Sequence, residues 1–141
     1  MVLFHGPANS PVLGQIAKDL VSVRARFAAD MPPDRPIDQL SIVRVCRDRG
    51  EYLTFGGSPT TIGYFNPTSQ ELVLYDGRAD KSVAMEADHA TLRTLYHEAC
   101  HQFLFHTASA LSPHSWYDEG TAEFYEGSSI TAGRVLSLIH I

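Results

Sequence analysis

Apolar side chains recur every three or four positions at Val12, Ile16, Leu20, Val23 and Phe27, so residues 12–29 read as a helix with one buried stripe. The run MPPDRP (Met31 to Pro36) ends it, because proline lacks the N–H a helix needs and drives its predecessor out of the helical region. From Leu40 to Arg47, LSIVRVCR alternates and carries β-branched residues, the signature of a strand. DRGEYLTFGG, closing on two glycines, reads as a short helical or turn segment. TIGYFN and QELVLYD are two β-rich runs parted by Pro-Thr-Ser, which predicts a hairpin after Asn66-Pro67.

From about Asp88 to His106 the period changes to 3.6, with Leu92, Leu95, Tyr96, Ala99 and Phe103 on one stripe, the longest helix expected. A loop from Ala108 to Ser115, punctuated by Pro113, leads to a last helix. It begins near Trp116 and closes about Gly127. No internal repeat or low-complexity tract breaks the expected order of helix, strand, hairpin, helix, helix.

The long helix departs from simple amphipathicity in the stretch YHEACHQFLF (Tyr96 to Phe105). Residues four apart on a helix lie about 40° apart around its axis, so His97 and His101 project together, roughly opposite the packing stripe. Two neutral imidazoles so held can converge on one ion at the 2.0–2.1 Å or so that Zn²⁺ prefers from nitrogen. Glu98, on the flank, is badly placed as a ligand of the same ion and well placed to reach a water beside it. The alternative is a buried helix with ordinary histidines.

SWYDEGTAEFYEG (Ser115 to Gly127) supplies a third ligand. Glu119 follows His101 by eighteen positions, enough for a second helix to turn back alongside the first. Glu123, one turn further, suits the carboxylate that accepts the other N–H of a ligating histidine. Glu119, Glu123 and Glu126 also fit the solvated acidic face of an amphipathic helix.

HEACH followed by WYDEGTAEF resembles the gluzincin metallopeptidases, in which an HExxH helix and a downstream glutamate helix hold zinc. The W-x-x-E-G-x-A segment is similar to the aminopeptidase-N branch and to uncharacterised bacterial gluzincin-like families. The resemblance covers Tyr96 to Glu126. It implies a zincin-like α+β fold: a small antiparallel or mixed sheet packed on the HExxH helix, followed by the glutamate-bearing helix. It implies His97, His101 and Glu119 as zinc ligands, Glu98 as general base, Glu123 in the supporting acidic position, and a peptide or protein substrate bound in extended form along the edge of hairpin Thr61–Asp76. A metzincin pattern does not fit, because Thr107 stands ten residues after His97 and position 104 is Leu104.

In gluzincins a Tyr or His beyond the glutamate helix stabilises the oxyanion; here His114, Tyr117 and Tyr125 are the candidates, and each also has a structural reading. His106 lies on the packing stripe and is expected to be a partnered core residue, His5 and His89 to lie at the surface, and Tyr96 and Trp116 to anchor core or loop. Leu104 and Phe105 border the His97 face, so the helix is expected between the sheet and the last helix, with the cleft between them. The function implied is a zinc-dependent peptidase. Two alternatives are a non-catalytic module that binds extended peptide and a closed structural zinc site with His114 as a further ligand.

Composition narrows the remainder. The 141 residues suffice for one domain, placed at 1–135, and are too few for two. With 44% hydrophobic and 19% charged residues the chain is neither disordered nor a membrane bundle. A net charge of -5 with scattered Lys and Arg argues against nucleic acid. No apolar run has the length of a membrane span, and MVLFHGPANSPVLG shows no export signal, which leaves the compartment open. Cys46 and Cys100 are expected to be buried thiols acting as small hydrophobes. The last six residues, LSLIHI (Leu136 to Ile141), resemble translated transposon-adapter sequence, so the native chain is expected to continue past about Val135.

Overall fold

Among the described residues, ten elements follow one another in the computed structural model: β1 (Val2–His5), α1 (Pro11–Asp30), β2 (Ser41–Cys46), α2 (Arg49–Thr54), β3 (Gly63–Asn66), β4 (Glu71–Tyr75), α3 (Ala87–Thr107), α4 (Ser115–Glu126), β5 (Ser128–Thr131) and β6 (Arg134–Ser137). The structure describes residues 1–6, 11–77, 87–108, 113–131 and 134–137, with the side chains of 11, 87–89 and 137 excepted. The centre of the expected 108–115 loop, the side chain of His89 and the end of the tail lie outside the described residues.

A mixed sheet of order β1-β2-β4-β3 forms the framework. β1 pairs parallel to β2 and β2 parallel to β4, while β3 runs antiparallel to β4 with Phe65 opposite Leu72. Alternation along β4 sorts the two faces. Leu72 and Leu74 join Val43, Val45 and the α1 stripe in the main core, whereas Val73 and Tyr75 join Cys46 and Tyr52 of α2 in a second cluster on the other side. The predicted helices, the Ser41–Cys46 strand and the hairpin are all present. The β1 strand and the β5–β6 hairpin were not expected, and the latter takes Leu136 and Ser137 into a strand.

Helix α3 lies between the sheet and α4. Leu95, Tyr96, Ala99, Cys100 and Phe103 are buried in the main core together with Ala122 and Tyr125 of α4. Two polar ties fix its position: the Tyr96 hydroxyl donates to Asp19 of α1 at 2.9 Å, and the buried Gln102 amide donates to the carbonyls of Ile42 and Gln70, both at 3.1 Å. Because Gln102 follows His101 directly, the second tie holds the middle of the helix against the sheet.

Two sequence expectations are corrected. His106 is buried as expected, yet among the described residues neither ring nitrogen has a hydrogen-bond partner. Trp116 anchors no core: it is 71% exposed, since it falls on the outward side of α4. Both cysteines are buried and free, as expected. Among the described residues no helix is long and apolar enough to cross a membrane.

Candidate metal centre

The four-residue spacing brings the rings of His97 and His101 to 4.8 Å between centroids, with side chains only 18% and 13% exposed. From α4, the Glu119 Oε2 atom lies 3.5 Å from His97 Nε2 and 3.7 Å from His101 Nε2. One ligand atom from each of the three residues falls within a 4.8 Å group. Tetrahedral Zn²⁺ with bonds of about 2.0–2.1 Å separates its ligands by roughly 3.3 Å, so a small adjustment of Glu119, which is 61% exposed, closes the set.

The other ring nitrogens decide which atoms face the centre. His101 Nδ1 lies 2.8 Å from Asp118 Oδ1 and His97 Nδ1 lies 3.0 Å from Glu126 Oε2. A carboxylate can only accept, so each Nδ1 carries the proton and each Nε2 keeps its lone pair for a cation. Arg93, one turn before His97, donates to the second oxygen of Glu126 at 3.1 Å.

This corrects the expected role of Glu123, whose side chain is exposed. The reason is helical phase. Around α4, the face turned to α3 is marked by the buried Ala122 and Tyr125. Relative to Glu119, a seven-residue step turns Glu126 about 20° towards that face, whereas a four-residue step turns Glu123 about 40° away from it. The same phase places Asp118, immediately before Glu119, against His101. Reading the acidic row against the buried stripe of α4, rather than by one-turn spacing, would have found both partners.

Glu98 sits beside these groups, and its Oε2 accepts a 2.8 Å hydrogen bond from the backbone N–H of Phe65 on β3. Burial raises its carboxyl above the ordinary glutamate range, against the lowering effect of the His101 and His97 imidazoles and of the Phe65 N–H. The cavity in front of it measures about 460 Å³. His97, Glu98, His101, Asp118 and Glu119 give it a polar lining, and Tyr64, Phe65, Pro67, Phe105 and Pro113 an aromatic and proline one. The cleft therefore lies between the sheet edge and α4, as the apolar flanks of α3 led us to expect.

None of the three oxyanion candidates lines this cavity. Tyr125 is buried in the core, with its ring 4.6 Å from that of Phe27 and its hydroxyl donating to Asp30 at 2.8 Å. Tyr117 is exposed and turns its hydroxyl to the sulfur of Met31, while His114 is exposed at the N-terminus of α4 beside Trp116. Tyr64 does reach the cleft, unanticipated from sequence, but its hydroxyl donates to the Phe55 carbonyl.

No family model matches the chain, and no curated protein matches it significantly.

Proposed function

We propose that this chain is a zinc-dependent hydrolase of peptide bonds, of gluzincin type and zincin-like fold, with His97, His101 and Glu119 as the metal ligands and Glu98 as general base. One observation carries the reading: two imidazole nitrogens and a carboxylate oxygen gather within 4.8 Å, and an unshared carboxylate, Glu98, faces the same cavity. The mixed sheet supports it, since its antiparallel end strand β3 lies over the HExxH helix, as the resemblance implies.

The donor set suits a borderline-soft dication, with two neutral imidazoles and one carboxylate in reach and a cavity beside them. When bound there, Zn²⁺ supplies a Lewis acid that acidifies water and polarises a carbonyl. Asp118 and Glu126 hold the two rings in the ligating tautomer. Glu98, with its raised proton affinity, takes a proton from water as the water oxygen bonds to the scissile carbonyl carbon. It returns that proton to the amide nitrogen as the C–N bond breaks, leaving a carboxylic acid and an amine. The Phe65 N–H keeps the Glu98 carboxylate turned to the cleft in the interim.

The second reading, a peptide-binding module without turnover, is favoured by the placement of His114, Tyr117 and Tyr125 away from the cavity. The zinc-loaded protein and its Glu98→Gln variant, assayed on internally quenched peptides, separate the two. Hydrolysis that the variant loses while keeping its zinc supports the enzyme; peptide binding without hydrolysis in either protein supports the module.

A further inference from the structure

The polar side of the cleft explains a reaction and leaves its aromatic side without a task. Phe105 stands one turn beyond His101 on α3, so it continues the row His97, His101 along the helix. Its ring meets that of Phe65 at 5.5 Å between centroids and 62° between planes. Both rings line the cavity, with Pro67 and Pro113 beside them. They are partly exposed, whereas Leu95, Tyr96, Ala99 and Phe103 of the α3 stripe are buried, so this aromatic pair faces the cavity rather than the core. Partly exposed aromatic side chains in such a cavity gain most by covering an apolar group of the bound molecule.

The direction of β3 says which part of a peptide meets this wall. At its start, a Cβ on Gly63 would lie 2.8 Å from the Thr94 methyl of α3; further on, Phe65 meets Glu98 and Phe105. β3 therefore runs in the same sense as α3, from the Thr94 turn towards the Phe105 turn. An extended chain pairing antiparallel to β3, the more stable arrangement per residue, runs the opposite way. It enters at Pro67 and Phe105 and leaves towards Gly63. With the reacting bond at Glu98, the residue that contributes the scissile carbonyl lies at the Phe105 end.

We infer that the Phe65–Phe105 wall selects substrates with a large apolar or aromatic side chain on the residue contributing the scissile carbonyl. This rests on the hydrolase reading for the position of the reacting bond, and its test is by binding, so the two can fail separately. The probes are N-acetyl-phenylalanine hydroxamate and N-acetyl-alanine hydroxamate, each with its hydroxamate in place of the scissile carbonyl. They are titrated against the zinc-loaded protein and its Phe105→Ala and Phe105→Leu variants. The phenylalanine probe should bind about tenfold more tightly or better. Phe105→Ala should bring the ratio close to one, Phe105→Leu should keep most of it, and zinc affinity should stay within about twofold in both, which certifies the fold. Equal or undetectable binding of the two probes to the wild-type protein overturns the inference, as does a preference that Phe105→Ala leaves intact. Preference without peptide cleavage sinks the hydrolase reading alone; cleavage without preference sinks this inference alone.

Discussion

The Glu98 carboxylate is tethered to the backbone of Phe65, thirty-three residues earlier in the chain, by a 2.8 Å hydrogen bond. The sheet's end strand thus orients the group that would handle the proton. That N–H points away from β4, so proline is tolerable at this edge position while removing the donor. Phe65→Pro should lower kcat by about tenfold or more on a quenched peptide with alanine contributing the scissile carbonyl, where the Phe65 ring has no large side chain to cover, while leaving zinc affinity within about threefold, because it loosens Glu98 and touches none of the proposed ligands. A loss of zinc binding of the same size would mean that the strand only holds the fold.

Carboxylates behind ligating histidines are worth about 10–100-fold in metal affinity. Asp118→Ala and Glu126→Ala should each weaken zinc binding by that order in a competition titration against a chelator. Glu123→Ala should change it by less than about twofold, since Glu123 is turned to solvent. Arg93→Gln, which removes the 3.1 Å bond to Glu126, should have an effect between these.

His106 gives a pH signature independent of the metal. Burial lowers its pKa from the ordinary 6.5, with the Arg24 charge adding to the effect. The folded state therefore binds the proton less readily than the unfolded chain. The stability that His106 permits is complete above about pH 6.5 and falls as the pH drops towards its lowered folded value. In chelator, urea unfolding of the wild-type protein should lose more stability between pH 8 and pH 5 than that of His106→Leu. At pH 8 the variant should be equal or more stable by about 1 kcal/mol, because the ring nitrogens have no partner among the described residues to lose. A steeper pH dependence in the variant would contradict this.

Burial raises the Cys46 thiol to about 11 and the Cys100 thiol to about 12. A thiolate-selective reagent at pH 8 should label neither in the native protein within minutes and both after denaturation. Fast labelling of Cys100 under native conditions would show that α3 opens next to the site.

The two long helices α1 and α3 were legible because each repeats its apolar spacing over several turns; the α1 stripe from Val12 to Phe27 is buried throughout. The hairpin was legible from Asn66-Pro67. β1 was not, because four residues give no periodicity and its partner, Ser41–Cys46, is reached only across α1. At the site, His97, His101 and Glu119 come together as their spacing foretold. The partners of the two Nδ1 atoms depend on which side of α4 meets α3, a tertiary fact that one-turn spacing misassigned to Glu123. The Glu98–Phe65 and Gln102 ties cross tens of residues and leave no local pattern.

The most direct measurement is zinc stoichiometry and affinity by chelator competition for the wild-type protein and for Glu119→Ala, which removes the one proposed ligand that comes from a different helix. The wild-type chain should bind one Zn²⁺ tightly, and Glu119→Ala should lose affinity by about a hundredfold or more, with the fold retained by circular dichroism. A wild-type chain that takes up no zinc, or a variant that binds it as tightly as the wild type, would contradict a centre built from His97, His101 and Glu119.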